Sequence, residues 1–241
     1  MTYCVGLLLK AGMVLLSDTR TNAGLDNIAT YRKMFTFEDP GERVIVILTA
    51  GSLSVTQTTI ARLRESIDHP EIEGAQSIMA AQTMLEVAEI IGNTLASVRE
   101  DIDHKMNAAK VSVSASMIVA GQRKGGAMRL FLIYPEGNFI EATEDTPFLQ
   151  IGEHKYGKPI LDRVVRPDTG LEDARKAVLL SMDSTLRSNL SVGMPLDLAI
   201  VAKDACRVTG VQRIEANDPD FRKMSEAWSN ALREGFQKIE I

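Results

Sequence analysis

The order in which apolar patterns change period along this chain constrains its fold more than any other feature. Two strand-like runs, Cys4–Leu9 and Met13–Leu16, are separated only by the short turn Lys10-Ala11-Gly12, so they pair as a hairpin. A second strand pair follows, closing at Arg43–Leu48 after the hairpin turn Asp39-Pro40-Gly41-Glu42. The period then becomes helical. Ser54–Ile67 places Ile60, Leu63 and Ile67 on one face, and Gln76–Ile102 carries Met84, Ala88, Ile91, Leu95, Val98 and Ile102 at alternating spacings of four and three. Strands return at Val111–Ala120, Met128–Tyr134 and Asn138–Glu141, the last two joined by Pro135-Glu136-Gly137. A capping box, Thr169 with Glu172, predicts a helix running to about Leu186. Strands Leu196–Val201 and Val208–Ile214 follow, and Asp218 as N-cap before Pro219 starts a last helix with the apolar face Phe221, Met224, Trp228 and Leu232. Three helical blocks around two groups of mostly antiparallel strands predict an α+β fold, a four-layer α-β-β-α sandwich. With 241 residues and 45% apolar side chains the chain can bury a full core, and residues 1–241 are expected to form a single domain.

Charge excludes several classes of partner. The formal net charge is −5, and Lys and Arg are scattered; the densest basic pairs, Arg32-Lys33 and Arg123-Lys124, make no stripe. That argues against nucleic acid and against an anionic membrane surface. Apolar runs fall well short of the ~20 residues of a membrane span, and the opening residues carry no charged-then-apolar leader, so a cytoplasmic location is expected. Cys4 and Cys206 lie in strand-like segments and read as reduced core thiols. His69, His104 and His154 lack metal-ligand spacing, and Gly125-Gly126 reads as a hairpin tip, not a phosphate cradle; no metal or cofactor is expected.

The chemistry starts at residue two. Thr2 follows the initiator methionine and precedes the first strand, and a residue this small allows aminopeptidase removal of Met1. The exposed threonine would then carry a hydroxyl nucleophile and an α-amine titrating near ~8, which is its own general base. The return strand of the first hairpin ends at Ser17-Asp18-Thr19-Arg20, which brings Asp18 beside Thr2. A loop rich in turn formers (Thr21, Asn22, Gly24, Asp26, Asn27) leads to Tyr31-Arg32-Lys33-Met34-Phe35. A lysine there, paired with an aspartate, keeps its charge and lowers the pKa of a nearby hydroxyl. Thr2, Asp18 and Lys33 thus form a complete nucleophile-activation set.

With the strand Arg43–Leu48 running into Thr49-Ala50-Gly51-Ser52, these residues resemble a proteasome β-type subunit of the N-terminal-nucleophile hydrolases, and most closely the bacterial ancestral β-subunit family, Anbu. The resemblance runs the length of the chain. It implies that Thr2 is the nucleophile of a threonine peptidase, Asp18 and Lys33 the activating pair, and the Gly51 amide the oxyanion donor. It also implies that Thr21 holds substrate backbone while Arg32, Thr49 and Leu53 face the first pocket. Around the α-amine the family pattern is kept at Ser191 and departed from twice: Glu153 stands where a serine is expected, and Ser188 where an aspartate is usual. The implied substrate is a peptide or unfolded polypeptide, handled inside a homo-oligomer that is a ring if the head-to-tail rotation closes and an open spiral if it does not. An ATP-driven unfolding partner is left open. Two rivals are a non-catalytic scaffold resembling a proteasome α-type subunit, whose helical extension ahead of the first strand this sequence lacks, and an N-terminal-nucleophile amidase acting on a small amide without assembling.

Overall fold

A computed structural model describes residues 2–22, 28–72, 74–106 and 113–240. Its strands form two five-stranded antiparallel sheets. The first has the order β10 (Phe148–Gly152), β1 (Tyr3–Leu9), β2 (Gly12–Asp18), β11 (Leu196–Ala202), β12 (Gly210–Ile214). The second runs β5 (Met34–Asp39), β6 (Arg43–Gly51), β7 (Ala115–Arg123), β8 (Arg129–Ile133), β9 (Phe139–Glu141). A ribbon of β3 (Arg20–Asn22) and β4 (Ile28–Thr30) stands apart.

Side-chain alternation explains why the strands read as continuous apolar runs. Along β6, Ile45 and Ile47 pack toward the helices α1 (Leu53–Asp68) and α2 (Met84–Met106), while Val44, Val46, Leu48 and Ala50 face the other sheet. Along β1, Tyr3, Val5, Leu7 and Leu9 face α3 (Lys158–Val164) and α4 (Leu171–Ser188), while Cys4 and Leu8 face inward. Both faces of each sheet are therefore covered, giving three apolar layers between four layers of secondary structure. The expected four-layer α-β-β-α sandwich is the fold observed. Burying one Leu or Ile side chain in these layers stabilises by roughly 1.5–3 kcal/mol.

Several local expectations change. The predicted helix from Gln76 begins only at Met84, because residues 76–83 spend their backbone groups elsewhere. The Arg43 guanidinium, reaching from β6, donates to the Ile78 and Ala81 carbonyls at 2.9 and 2.6 Å. The helix start is then closed reciprocally: Thr83 Oγ1 accepts the Glu86 N–H at 3.1 Å, and the Glu86 carboxylate accepts the Gln82 N–H. The capping box expected at Thr169 does not form. Gly170 occupies the N-cap of α4, and Thr169 Oγ1 accepts the Arg166 N–H within the preceding turn. The short elements β3, β4, β10 and α3 escape the sequence reading; β10 is an edge strand whose pairing partner, β1, lies about 145 residues away in the chain. Cys206 sits in the β11–β12 connection and not in a strand, and both cysteines are buried and unbridged. The Val111 and Ser112 end of the third predicted strand and residues 23–27 of the turn-rich loop lie outside the described residues. At the other end of the chain Asp218 Oδ1 caps α5 (Pro219–Gln237) by accepting the Phe221 N–H at 2.8 Å, as expected.

Candidate active site

The β1–β2 register, Cys4 opposite Ser17, brings the end of β2 alongside the start of β1. Asp18 is fully buried there, and its carboxylate accepts three donors. One oxygen takes the Tyr3 N–H at 3.1 Å and the Lys33 ammonium at 2.8 Å; the other takes the Gly193 N–H at 3.2 Å. Burial pushes the Asp18 carboxyl up from its ordinary value, and the Lys33 charge and the two backbone donors oppose that shift. Lys33, 5% exposed and directly ahead of β5, also donates to the Arg20 carbonyl at 2.6 Å. Its own carbonyl accepts the Thr49 N–H at 2.9 Å, which ties it to the end of β6. A buried ammonium with one carboxylate and one carbonyl as partners is desolvated but charge-balanced.

Thr2 is 6% exposed and lies one residue from the Asp18 anchor. Its carbonyl accepts the Glu153 N–H at 2.8 Å. Gly152, opposite Tyr3 in β10, makes that approach possible: its φ is +79°, and a Cβ there would overlap the Thr2 carbonyl oxygen. At the end of β6 Gly51 has φ +106° and is exposed where its strand neighbours are buried, so its main chain borders open space. A Cβ on Gly51 would overlap the Ser114 carbonyl.

Thr2, Asp18, Lys33 and the Ser191 loop are thus gathered at one end of the sandwich. Ser191 is half-buried, and its N–H is held by Asn189 Oδ1 at 2.9 Å, two residues before Gly193 reaches Asp18. Arg20 braces the same loop by donating to the Leu190 carbonyl at 3.0 Å. Glu153 meets Thr2 through its main chain, and its side chain is half-exposed. Ser188, the last residue of α4, is exposed and makes no hydrogen bond to the Thr2 group. Of the four substrate-side candidates, Thr49 is buried against Lys33, Thr21 lies in β3, Leu53 opens α1, and Arg32 is exposed beside Lys33. Gly193 and Gly152 are supports that the sequence reading missed. Proximity to Ser191 and Glu153 was their only signal, and neither donated N–H nor positive φ is written in residue type.

A cavity of about 650 Å³ opens at the opposite end of β1, beside Leu8, Lys10, Gln122, Met128 and Asp204, and includes none of these groups. Among the described residues no cluster of His, Cys, Asp and Glu could hold a metal ion, and no helix is long and apolar enough to cross a membrane.

Comparison with known proteins agrees with this architecture. The family model for the proteasome subunit matches residues 2–201. A Gly-1 mutant of Anbu from Hyphomicrobium sp. strain MC1 superposes with a TM-score of 0.91 at 50% identity, covering 100% of this chain and 99% of that one. Anbu, the ancestral β-subunit, from Yersinia bercovieri gives 0.90 at 42% identity over 99% and 98% of the two chains. A structure described as the helical assembly of the Anbu complex from Pseudomonas aeruginosa gives 0.91 at 42% identity over 99% and 97%. With its N-terminal-nucleophile hydrolase sandwich and matches spanning the whole chain, the protein belongs to the proteasome subunit family and, within it, to the Anbu group of ancestral β-subunits.

Proposed function

We propose that this protein is a threonine peptidase subunit, acting through an acyl-enzyme on Thr2 once Met1 has been removed. The observation that carries the reading is the buried Lys33–Asp18 ion pair, joined through Asp18 to the backbone N–H of the residue next to Thr2. Such a pair places a fixed positive charge near the hydroxyl, and that charge favours the alkoxide. The freed α-amine takes the Thr2 hydroxyl proton as the oxygen attacks the substrate carbonyl. The Gly51 amide then stabilises the oxyanion, a contribution of ~3 kcal/mol for a single well-placed donor. Collapse of the tetrahedral intermediate breaks the peptide bond, the protonated amine giving its proton to the leaving nitrogen, and water resolves the ester with the amine again as base. Ser191 and Glu153 support the amine in this scheme; Ser188, exposed at the helix end, has the weakest support. Thr21, Arg32, Thr49 and Leu53 flank the substrate.

The substrate class is peptide or unfolded polypeptide, and residues 1–241 act as one β-type unit within a cytoplasmic homo-oligomer. The helical assembly described for the Pseudomonas relative supports association by repeated head-to-tail contacts. Intact mass before and after treatment with a peptide β-lactone, which acylates an activated hydroxyl, tests the chemistry. Active material is expected to lack Met1 and to gain one acyl group. Thr2→Ala should neither label nor hydrolyse peptide, and Lys33→Ala and Asp18→Ala should each lower the rate at least ~100-fold, since residues acting as a unit fail together. Full activity in chains that all retain Met1 would refute the mechanism.

A further inference from the structure

Thr2 stands at the very start of a strand, where backbones fray unless tied down. Two main-chain hydrogen bonds hold it, one at its own carbonyl and one at the next N–H. A third constraint acts through the Tyr3 side chain. Tyr3 is fully buried, and its side chain packs in the apolar layer against α4. There the phenol oxygen shares a 2.5 Å hydrogen bond with Ser181 Oγ and accepts Gln150 Nε2 at 2.6 Å. Gly157 makes room for this junction, because a Cβ at that position would overlap Ser181 Oγ and crowd the tyrosine oxygen. Burial pushes the phenol up to about 12, so it keeps its proton throughout the working range.

The junction does more than fill the core. Gln150 belongs to β10, the same segment that supplies Gly152 and the Glu153 N–H to Thr2. Residues 150–157 therefore hold residues 2 and 3 through both main chain and side chain, while Ser181 fixes the junction to α4. A phenylalanine would fill the same volume, so the hydroxyl is not needed for packing. What the hydroxyl adds is a fixed rotation and depth for the Tyr3 side chain, and hence for the peptide unit joining it to Thr2.

We propose that Tyr3 is a positioning residue for the Thr2 nucleophile, and that its phenol, held by Ser181 and Gln150, sets the alignment of Thr2 over the Asp18–Lys33 pair. This rests on the threonine-nucleophile reading above. Misplacing a nucleophile by a fraction of an ångström slows the bond-forming step more than it weakens binding.

The test follows labelling of the full-length protein by a peptide β-lactone, separating the saturating rate from the half-saturating concentration, with thermal midpoints measured alongside. Tyr3→Phe is expected to lower the saturating rate about tenfold with the half-saturating concentration unchanged. Ser181→Ala, which keeps the ring and phenol, should slow labelling in the same sense and serves where Tyr3→Phe folds poorly. The decisive variant combines Tyr3→Phe with Ser181→Ala. It removes both members of the short hydrogen bond, and Gln150 retains the His154 carbonyl as a partner, so stability should recover while the rate stays low. Recovery of rate together with stability would mean that the junction is only structural, and would overturn the proposal. Wild-type rates in both single variants, with Thr2→Ala still unlabelled, would overturn it while leaving the peptidase reading intact. A wild-type protein that never labels would remove both.

Discussion

At the residue scale, the site is built from charge and donors buried around one carboxylate. Burial raises the pKa of the Asp18 carboxyl, and Lys33 and two backbone N–H groups oppose that rise by taking the place of the water it loses. Tyr3 is shifted in the same direction and also by burial, with only neutral hydroxyl and amide partners to oppose it. Its pKa rises from 10.0 to about 12 on folding, so the folded state holds its proton more tightly than the unfolded chain does. The stabilisation this gives is complete below pH ~10 and disappears as pH climbs from there through about 12. Two units correspond to about 3 kcal/mol. Urea unfolding of wild type and Tyr3→Phe across pH 9 to 12 checks this: the wild type should lose stability more steeply, and parallel slopes would mean that the tyrosine is not held as described. Residue type and spacing singled out Thr2, Asp18 and Lys33 as the proposed activation set, and the fold brings Asp18 to Lys33 and to the N–H next to Thr2. Gly193, whose amide completes the Asp18 shell, was not, because every residue but proline carries an N–H and only the fold decides which one points where.

At the element scale, periodicity located most of the helices and strands, and tertiary contacts moved their ends. The stripe from Met84 to Ile102 lies within α2 with Ile91, Leu95 and Val98 buried. Its true start is set by Thr83 and Glu86, one turn after Arg43 has claimed the carbonyls of the preceding segment. Thr83→Ala should therefore cost about 1 kcal/mol of stability by leaving the first-turn N–H of Glu86 without its side-chain acceptor. Chemical denaturation measures it, and a change under about 0.3 kcal/mol would mean that Thr83 does not cap α2 in solution. Strand β10 was missed for a different reason. Its five residues carry little pattern of their own, and they form a strand because β1 offers a free edge, so the signal lies in the partner. That omission mattered for the site, since β10 and the turn after it hold Thr2 and Tyr3 in place.

At the scale of the whole molecule, a threonine peptidase open to its surroundings would threaten every exposed loop, so the proposed chemistry calls for enclosure by other subunits. Native mass spectrometry at micromolar protein should find a species of many subunits; a stable monomer that retains peptidase activity would favour a small-amide hydrolase instead. The amino-acid sequence by itself determined the layer order, because strand runs without polar alternation and helices with one apolar face can be buried together in few ways, and it singled out Thr2, Asp18 and Lys33 as the proposed activation set, because threonine, aspartate and lysine have chemistry of their own. Only the tertiary structure decided which backbone amides reach Asp18, which glycine lets β10 approach Thr2, and that the Tyr3 phenol meets Ser181 and Gln150. Those groups are supplied by residues up to 178 positions apart, and their roles depend on direction and distance, which residue type does not specify.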